Sequence, residues 1–445
     1  MTSVPLPDRS SRARRSPRPA GGEPAAPRAT RLAAVPAPKA RLLDRPLASY
    51  YLVVGTTGVL VLLGLVMVLS ASSVSSYQSS GNSYALFERQ LLWVGLGLPL
   101  AVAASKIPIR FARLLAYPLL LASAGGLLLV LVPGVGVSAY GATRWIGAGS
   151  FTIQPSELAK LALALWGADL LVRKHRRLGE WRHLLIPLLP VGALFAALVM
   201  VEPDMGTTIV LLLVVLALLW VVGAPARLFG TVAGVLAGLG GMLAILEPYR
   251  LARLTSFVHP FADAQGNGYQ AVQGIYALAS GGWWGNGLGA SHEKWDYLPN
   301  AHTDFIFAII GEELGLLGTF LVLALFGVLG YAGIRVAQRS RDPFVRLASA
   351  AITAWLIGQA LVNVGAVVGV LPITGIPLPL ISFGGSALVP TLVAIGLLAG
   401  FARAERSAAG TTRPRPATGR RPSAGASPPA ARVRRRPAGG KRAAR

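Results

Sequence analysis

The chain has 445 residues, of which 53% are hydrophobic and only 13% are charged, and it contains no cysteine. This composition is typical of a protein with many membrane spans, and it excludes disulfides and thiolate-ligated metal sites. The formal charge of +24 lies mainly in the tails, because residues 1–47 hold ten basic against three acidic residues and residues 403–445 hold thirteen against one.

Both tails are rich in Pro, Ala, Gly and Arg and lack apolar periodicity, so we predict that 1–47 and 406–445 are disordered. We interpret them as topology anchors and solvated tails. Lipid head groups or a partner protein remain alternative contacts, and nucleic acid is not a predicted partner.

Ten apolar runs are long enough to cross a bilayer at about 20 residues per crossing. They cover 48–71, 87–105, 113–134, 155–173, 184–201, 206–223, 227–246, 304–336, 346–370 and 386–403. We therefore predict an all-α polytopic membrane protein with about ten transmembrane helices and a membrane domain over 48–405. The first run starts only near Leu47 and is long enough to span, so no cleavable signal peptide is predicted. The eighth run exceeds one perpendicular crossing and should tilt or project from the bilayer.

Lysine and arginine are concentrated in alternate short loops. They follow span two (Lys106, Arg110, Arg113), follow span four (Arg173, Lys174, Arg176, Arg177, Arg182) and surround the end of span eight (Arg335, Arg339, Arg341, Arg346). The loops at 72–86, 202–205 and 371–385 contain neither residue. The positive-inside rule then places both termini in the cytoplasm and the long loop 247–303, between helices 7 and 8, on the outer face. Most unusual polar residues fall on that outer side, whereas a transporter concentrates them near the bilayer midplane.

A polar turn with His302, Thr303 and Asp304 runs directly into a long apolar helix that also carries Glu312 and Glu313. Ionisable side chains within a membrane segment are costly, so they indicate a functional site unless a partner explains them. Capping of the helix by Thr303 or Asp304 is the simpler alternative. The helix dipole and nearby cations would keep Asp304 ionised, whereas the low-dielectric boundary of the membrane would raise its pKa. A general base near the membrane surface needs a moderate contribution from each of these opposing effects.

Two further pairs of charged residues lie on the predicted outer side. Glu157 and Lys160 share one face at the start of a helix, where they form either a structural ion pair or a positive site for an anionic substrate. Asp204 can cap the sixth span, but capping does not explain a second carboxylate at Glu202.

Two outer loops have unusual compositions. The loop 247–303 is too long for a plain connector, and its aromatic residues suit either the head-group interface or stacking against sugars. These aromatic residues are Trp283, Trp284, Trp295 and Tyr297. The segment 371–386 holds three prolines and three glycines. We predict that this segment packs as a re-entrant turn over a cavity, because irregular backbone at membrane depth must be buried in protein.

Several motifs together carry a family resemblance. They are Thr143-Arg-Trp-Ile146, Gln154-Pro-Ser-Glu-Leu-Ala-Lys160, Glu202-Pro-Asp204 with Gly206-Thr207, Gly281-Gly-Trp with Gly287-Leu-Gly289, Leu298-Pro299 with Ala301-His-Thr-Asp-Phe-Ile-Phe-Ala308, Gly311-Glu-Glu-Leu-Gly315, and Pro379-Leu-Ile-Ser382 with Gly384-Gly-Ser386. The chain resembles the SEDS family (shape, elongation, division and sporulation) of peptidoglycan polymerases over most of residues 45–405, and is most similar to its division members. Asn300 departs from the family pattern, which usually has Glu there.

The resemblance implies a peptidoglycan glycosyltransferase that polymerises lipid II into β-1,4 glycan on the outer face of the bacterial cytoplasmic membrane, at the division septum. It implies inversion at the transferred sugar with Asp304 as general base, or as ligand of a divalent cation such as Mg²⁺ or Mn²⁺. Arg144 and Lys160 are the candidates for stabilising the leaving group. Second choices for the site are Glu157, Glu202, Asp204 and His302, whereas Glu312 and Glu313 are expected to order the helix bundle.

The resemblance also implies partners, namely a class B penicillin-binding protein that supplies transpeptidase activity and other divisome proteins. The alternatives are an elongation-type polymerase, a lipid II flippase or other transporter, and a scaffold that recruits a partner enzyme. Loss of polymerisation in an Asp304→Ala variant would favour the polymerase, and persistence of transport in that variant would favour the flippase.

Overall fold

The computed structural model describes residues 47–139, 142–148, 151–177, 180–246, 257–266 and 268–410. The α-helices are α1 (Ala48–Ser80), α2 (Ala85–Lys106), α3 (Ile109–Val130), α4 (Pro155–Arg173), α5 (Trp181–Leu185), α6 (Leu188–Val201), α7 (Met205–Val222), α8 (Ala226–Leu246), α9 (Tyr269–Ser280), α10 (Ile306–Arg339), α11 (Pro343–Val367) and α12 (Gly385–Gly410). Short 3₁₀ helices cover His175–Arg177 and Pro260–Asp263. The strands are β1 (Gly136–Ala139), β2 (Ala142–Ala148) and β3 (Phe151–Ile153).

The predicted helical membrane architecture is confirmed, and each of the ten predicted spans coincides with a helix. Within the described ranges, eight helices are long and apolar enough to cross a membrane, α5 and α6 acting together as one of them. The other two predicted spans correspond to α4 and α8, so the count of ten stays a prediction. The last helix continues to Gly410, beyond the predicted boundary at 405. The predicted disorder of 1–46 and 411–445 concerns residues outside those described.

Helix α4 is central in the bundle, which explains its charged residues. It packs against α3, α7 and α11, and 15 of its 19 residues are buried. A helix surrounded by protein need not be apolar, since its charged side chains can find partners there. The neighbouring long pairs are α2 with α12, α10 with α11, and α1 with α10.

Helix α10 is interrupted by a kink at Gly315, and the predicted tilt or projection of this long run from the bilayer stays a prediction. Gly315 has φ 69° and ψ −165°, a conformation that essentially only glycine adopts. The loop 281–287 occupies the break, where the amides of Asn286 and Gly287 donate to the carbonyls of Glu312 and Glu313 at 2.9 and 3.0 Å. The loop therefore replaces hydrogen bonds that the helix loses at the break.

A small antiparallel sheet of order β1-β2-β3 between α3 and α4 was missed by sequence analysis. Gly136 pairs with Ile146, and Ile146 pairs in turn with Ile153 on the other side. The segment between α11 and α12 is non-helical, as predicted, and several of its apolar side chains are buried. A Cβ on Gly206 would meet Thr374 and Ile376, so this segment packs closely on the start of α7.

Candidate active site

The turn that carries Asp304 is held by hydrogen bonds from two distant parts of the chain. Asn363 of α11 donates through Nδ2 to the carbonyl of Asp304 at 2.7 Å and to the carbonyl of Ile376 at 2.8 Å. Ser382 donates through Oγ to the carbonyl of Thr303 at 2.6 Å. These bonds fix the backbone on both sides of the Asp304 side chain, which is half-buried.

Neither Thr303 nor Asp304 caps the helix that follows. The N-cap residue of α10 is Phe305, and no side chain caps this end. Thr303 Oγ1 instead donates to the carbonyl of Asn300 at 3.2 Å. Asn300 has φ 57°, a left-handed conformation that Asn tolerates better than most residues. The structural alternative for Asp304 is therefore not realised, and its carboxylate remains available for chemistry.

Burial is the largest cause that raises the pKa of Asp304 to about 6. The positive charge of Arg144 opposes this shift, and the negative charge of Asp204 adds to it. Asp304 therefore titrates just below neutral pH, where a general base works well. His302 lies beside it with its ring 5.7 Å from that of Phe383. Burial lowers the pKa of His302, so its imidazole is neutral at pH 7.

Arg144 reaches from β2 across the connection between α6 and α7. Its Nη2 donates to the carbonyl of Pro203 at 2.7 Å and its Nε donates to the carbonyl of Glu202 at 3.3 Å. Its Nη1 lies 3.8 Å from Oδ2 of Asp204. Asp204 also caps α7 as predicted, because its Oδ1 accepts from the backbone amide of Thr207 at 3.0 Å. Arg144, Asp204 and Asp304 thus share one electrostatic environment.

Glu202 is buried, and neither of its carboxylate oxygens has a hydrogen-bond partner. Burial is the largest cause that raises its pKa to about 8; the charge of Asp204 adds to this and that of Arg144 opposes it. Glu202 is therefore mainly neutral at pH 7. It lines a cavity of about 420 Å³ between the end of α3, the sheet and the end of α6, and Asp304 is not among the lining residues.

Lys160 is fully buried and does not reach this cavity. Its Nζ lies 2.8 Å from Oε2 of Glu157 and donates to Oε1 of Gln359 at 2.7 Å. Gln359 in turn donates through Nε2 to the carbonyl of Pro377 at 3.0 Å. The structure thus favours the ion-pair alternative for Glu157 and Lys160, and connects this pair to the 371–384 segment rather than to open space.

Glu312 and Glu313 hold the outer loop as well as the bundle. Oε1 of Glu312 accepts from the amide of His292 at 2.7 Å. Oε1 of Glu313 accepts from Ser70 Oγ of α1 at 2.6 Å and lies 3.9 Å from Nζ of Lys294. The expectation that these carboxylates are structural agrees with these contacts, although much of what they order is the loop 289–294.

Sequence analysis missed Gln359 and Asn363, which are central to the site. They lie four residues apart on α11, so both project from one face of this helix toward the 371–384 segment. Two amide side chains at that spacing inside an otherwise apolar span are a signal that could have identified them.

Within the described ranges, protein side chains alone do not form an evident metal site. Among the described residues, no group of three or more His, Cys, Asp or Glu side chains is placed to hold a metal ion. Mg²⁺ is nevertheless commonly bound by one or two carboxylates together with substrate phosphates. Asp304 fits that smaller donor set as a single carboxylate.

Comparison with known proteins agrees with this architecture. A family model for FtsW, RodA and SpoVE, described as a cell cycle protein, matches residues 50–407. The chain is 44% identical over 371 residues to the probable peptidoglycan glycosyltransferase FtsW of Mycobacterium tuberculosis, and the match covers 83% of this chain and 71% of that protein. It is 38% identical over 359 residues to the stage V sporulation protein E of Bacillus subtilis, and the match covers 80% of this chain and 97% of that protein.

Solved structures give the same result. A chain from a peptidoglycan synthase complex, solved in a study of how polymerisation and crosslinking are coordinated, has a TM-score of 0.66 and 31% identity over 79% of this chain and 97% of that one. The rod shape determining protein RodA of Thermus thermophilus has a TM-score of 0.59 and 30% identity, and the match covers 80% and 97%. The motifs, the helical architecture and these matches agree, and the chain belongs to the FtsW, RodA and SpoVE family, the SEDS family that its sequence resembles.

Proposed function

We propose that this chain is a peptidoglycan glycosyltransferase of the division type, which polymerises lipid II into β-1,4 glycan on the outer face of the cytoplasmic membrane. The observation that carries the proposal is the fixed turn at Asp304, whose carboxylate is not used for capping and has a pKa of about 6. The reaction class is supported by relatives named as probable peptidoglycan glycosyltransferases and by the similar chain from a peptidoglycan synthase complex.

The chemistry requires one base and positive charge at the leaving group. The sugar of lipid II leaves an α-linked pyrophosphate and becomes β-linked, so a single displacement with inversion is sufficient. In this step Asp304 accepts the proton of the attacking hydroxyl, and the new glycosidic bond forms as the bond to pyrophosphate breaks. The positive charge of Arg144 acts on the Asp304 carboxylate. In the proposed step Arg144 stabilises the departing pyrophosphate.

The remaining candidate residues act by positioning. Asp204 orients Arg144 by its charge, and the backbone carbonyl of Glu202 accepts from Arg144 Nε. Lys160 supports the 371–384 segment through Gln359. As the alternative to its role as base, Asp304 would hold a divalent cation together with the substrate, and this cation would neutralise the charge of the pyrophosphate. A class B penicillin-binding protein is the proposed partner, and it would crosslink the glycan that this chain makes.

The test is polymerisation of purified lipid II by the purified chain in detergent, with and without a co-purified class B penicillin-binding protein and with Mg²⁺ or Mn²⁺. We expect glycan polymer on a denaturing gel in at least the condition with partner and cation. Absence of polymer in every condition, together with translocation of lipid II across vesicles by the same preparation, would overturn the polymerase in favour of a flippase. Filamentation of cells depleted of the chain would support division, and rounding or swelling would indicate elongation.

A further inference from the structure

A second cavity lies at the opposite end of the bundle from Asp304. It also measures about 420 Å³ and is lined by Ile109, Arg110, Arg113, Leu114, Arg173 and Asp342. Helix α4 connects the two ends, because it begins beside the Asp204 region and ends at Arg173 after 19 residues, which is about 28 Å at about 1.5 Å per residue. The second cavity is thus separated from the candidate active site by almost the thickness of a bilayer core.

The arginines of this cavity are held in place by one buried carboxylate. Asp169 is fully buried and its two oxygens bind Nε of Arg113 and Nε of Arg173, each at 2.6 Å. The hydroxyl of Tyr117 donates to the same carboxylate at 2.9 Å. Both arginine side chains remain partly exposed, at 33% for Arg113 and 62% for Arg173. One buried negative charge therefore fixes two positive groups at the cavity wall.

The cavity has an excess of positive charge at its surface. Arg110 adds a third guanidinium, which is exposed and lies 4.9 Å from the ring of Phe111. The one carboxylate in the lining, Asp342, caps α11 by accepting from the amides of Phe344 at 2.8 Å and Val345 at 3.4 Å. A preformed set of guanidinium groups is suited to a phosphate group, which it can bind with parallel hydrogen bonds.

The surface next to the cavity is apolar. Helix α3 is apolar enough to span a membrane, and its side chains Leu114, Leu115 and Leu121 are 68%, 50% and 72% exposed. Arg110 and Arg113 lie at the start of this helix, where a spanning helix enters the head-group region. A ligand with a phosphate group and hydrocarbon chains would thus contact the arginines and the leucines at the same time.

We propose that this cavity binds the head group of an anionic phospholipid, with the phosphate at Arg110, Arg113 and Arg173 and the acyl chains along α3. Basic pockets between transmembrane helices are suited to such head groups, and each Lys or Arg near the surface contributes about 1 kcal/mol, or about a fivefold change in affinity. The predicted orientation places this end at the cytoplasmic leaflet, where anionic lipids are concentrated. The proposal is independent of the reaction catalysed at the other end.

The test is native mass spectrometry of the full chain in detergent, titrated with phosphatidylglycerol or with phosphatidylcholine of the same acyl chains. Arg110 is exposed and not part of the Asp169 cluster, so Arg110→Gln and Arg110→Glu should fold normally. We expect preference for phosphatidylglycerol, about fivefold weaker binding in Arg110→Gln and a larger loss in Arg110→Glu. Arg177→Gln and Arg177→Glu are matched controls, because Arg177 is exposed at the same end and does not line the cavity.

Three outcomes would overturn the proposal. Equal binding of the two lipids would show that the cavity does not select a head group with a net negative charge. Equal losses in the Arg110 and Arg177 variants would show attraction by general charge rather than a site. Complete displacement of the lipid by millimolar glycerol phosphate would assign the cavity to a soluble phosphate compound.

Discussion

Replacement of Lys160 by Met should unfold the site rather than only weaken substrate binding. Glu157 and Lys160 are 1% and 0% exposed, and their charged atoms lie 2.8 Å apart. In Lys160→Met the buried Glu157 carboxylate loses its ionic partner, and Gln359 loses a hydrogen-bond donor. Breaking one partner of a buried pair costs about 3–5 kcal/mol. At about 1.4 kcal/mol per tenfold, the folded-to-unfolded ratio falls by about a hundredfold to several thousandfold.

The assay is thermal unfolding in detergent, followed by fluorescence-detected size exclusion, for wild type, Lys160→Met, and Lys160→Met combined with Glu157→Gln. The double variant removes both charges and should recover most of the lost stability, because no uncompensated charge stays buried. A single variant as stable as wild type would refute this reasoning. If both variants were stable but inactive in glycan polymerisation, Lys160 would have to act on the substrate.

Three other results are expected. The polymerisation rate should rise about tenfold per pH unit up to a pH of about 6 and then level off, because Asp304 must lose its proton to act as a base. The measurement is the rate between pH 4.5 and 7.5, and a constant rate over this range would contradict the prediction. Glu202→Gln should keep the rate at pH 7 within about twofold, since a carboxyl with a pKa of about 8 is already neutral there, and a tenfold loss would show that its charge is needed. Gly315→Ala should destabilise the fold by about 1–3 kcal/mol or more, because Gly315 has a φ of 69° and because a Cβ there would clash with the backbone amide of Gly285. Gly95→Ala is the control in thermal unfolding, since Gly95 has open space around it, and equal stability of the two variants would contradict the strain at Gly315.

The positions of the membrane helices could be predicted because most of them are long apolar runs, and the thickness of the bilayer sets the length that such a run needs. Asp304 could also be singled out from the sequence, since a carboxylate at the start of an apolar helix is uncommon without a reason, and its role in catalysis stays a prediction. The short strands around Arg144 were not, because strands of three to seven residues give little periodic signal. The sequence also gives no indication that Arg144 crosses to the connection at 202–204.

The supports of the site could not be predicted from local patterns. Asn363 and Gln359 bind carbonyls at Asp304 and Pro377, and such contacts exist only once the 371–384 segment has packed. The break at Gly315 was missed for a similar reason. A glycine within an apolar run is compatible with a continuous helix, and the break is stabilised by the distant loop 281–287.

The most direct measurement of the central claim is the rate of lipid II polymerisation by Asp304→Asn, which keeps the shape of the side chain and removes the base. We expect the rate to fall by at least about a hundredfold, with an unchanged thermal unfolding profile. Asp296→Asn is the matched control, because Asp296 is exposed in the same outer loop and should retain the wild-type rate. A rate within a few-fold of wild type for folded Asp304→Asn would contradict the assignment of Asp304 as the base.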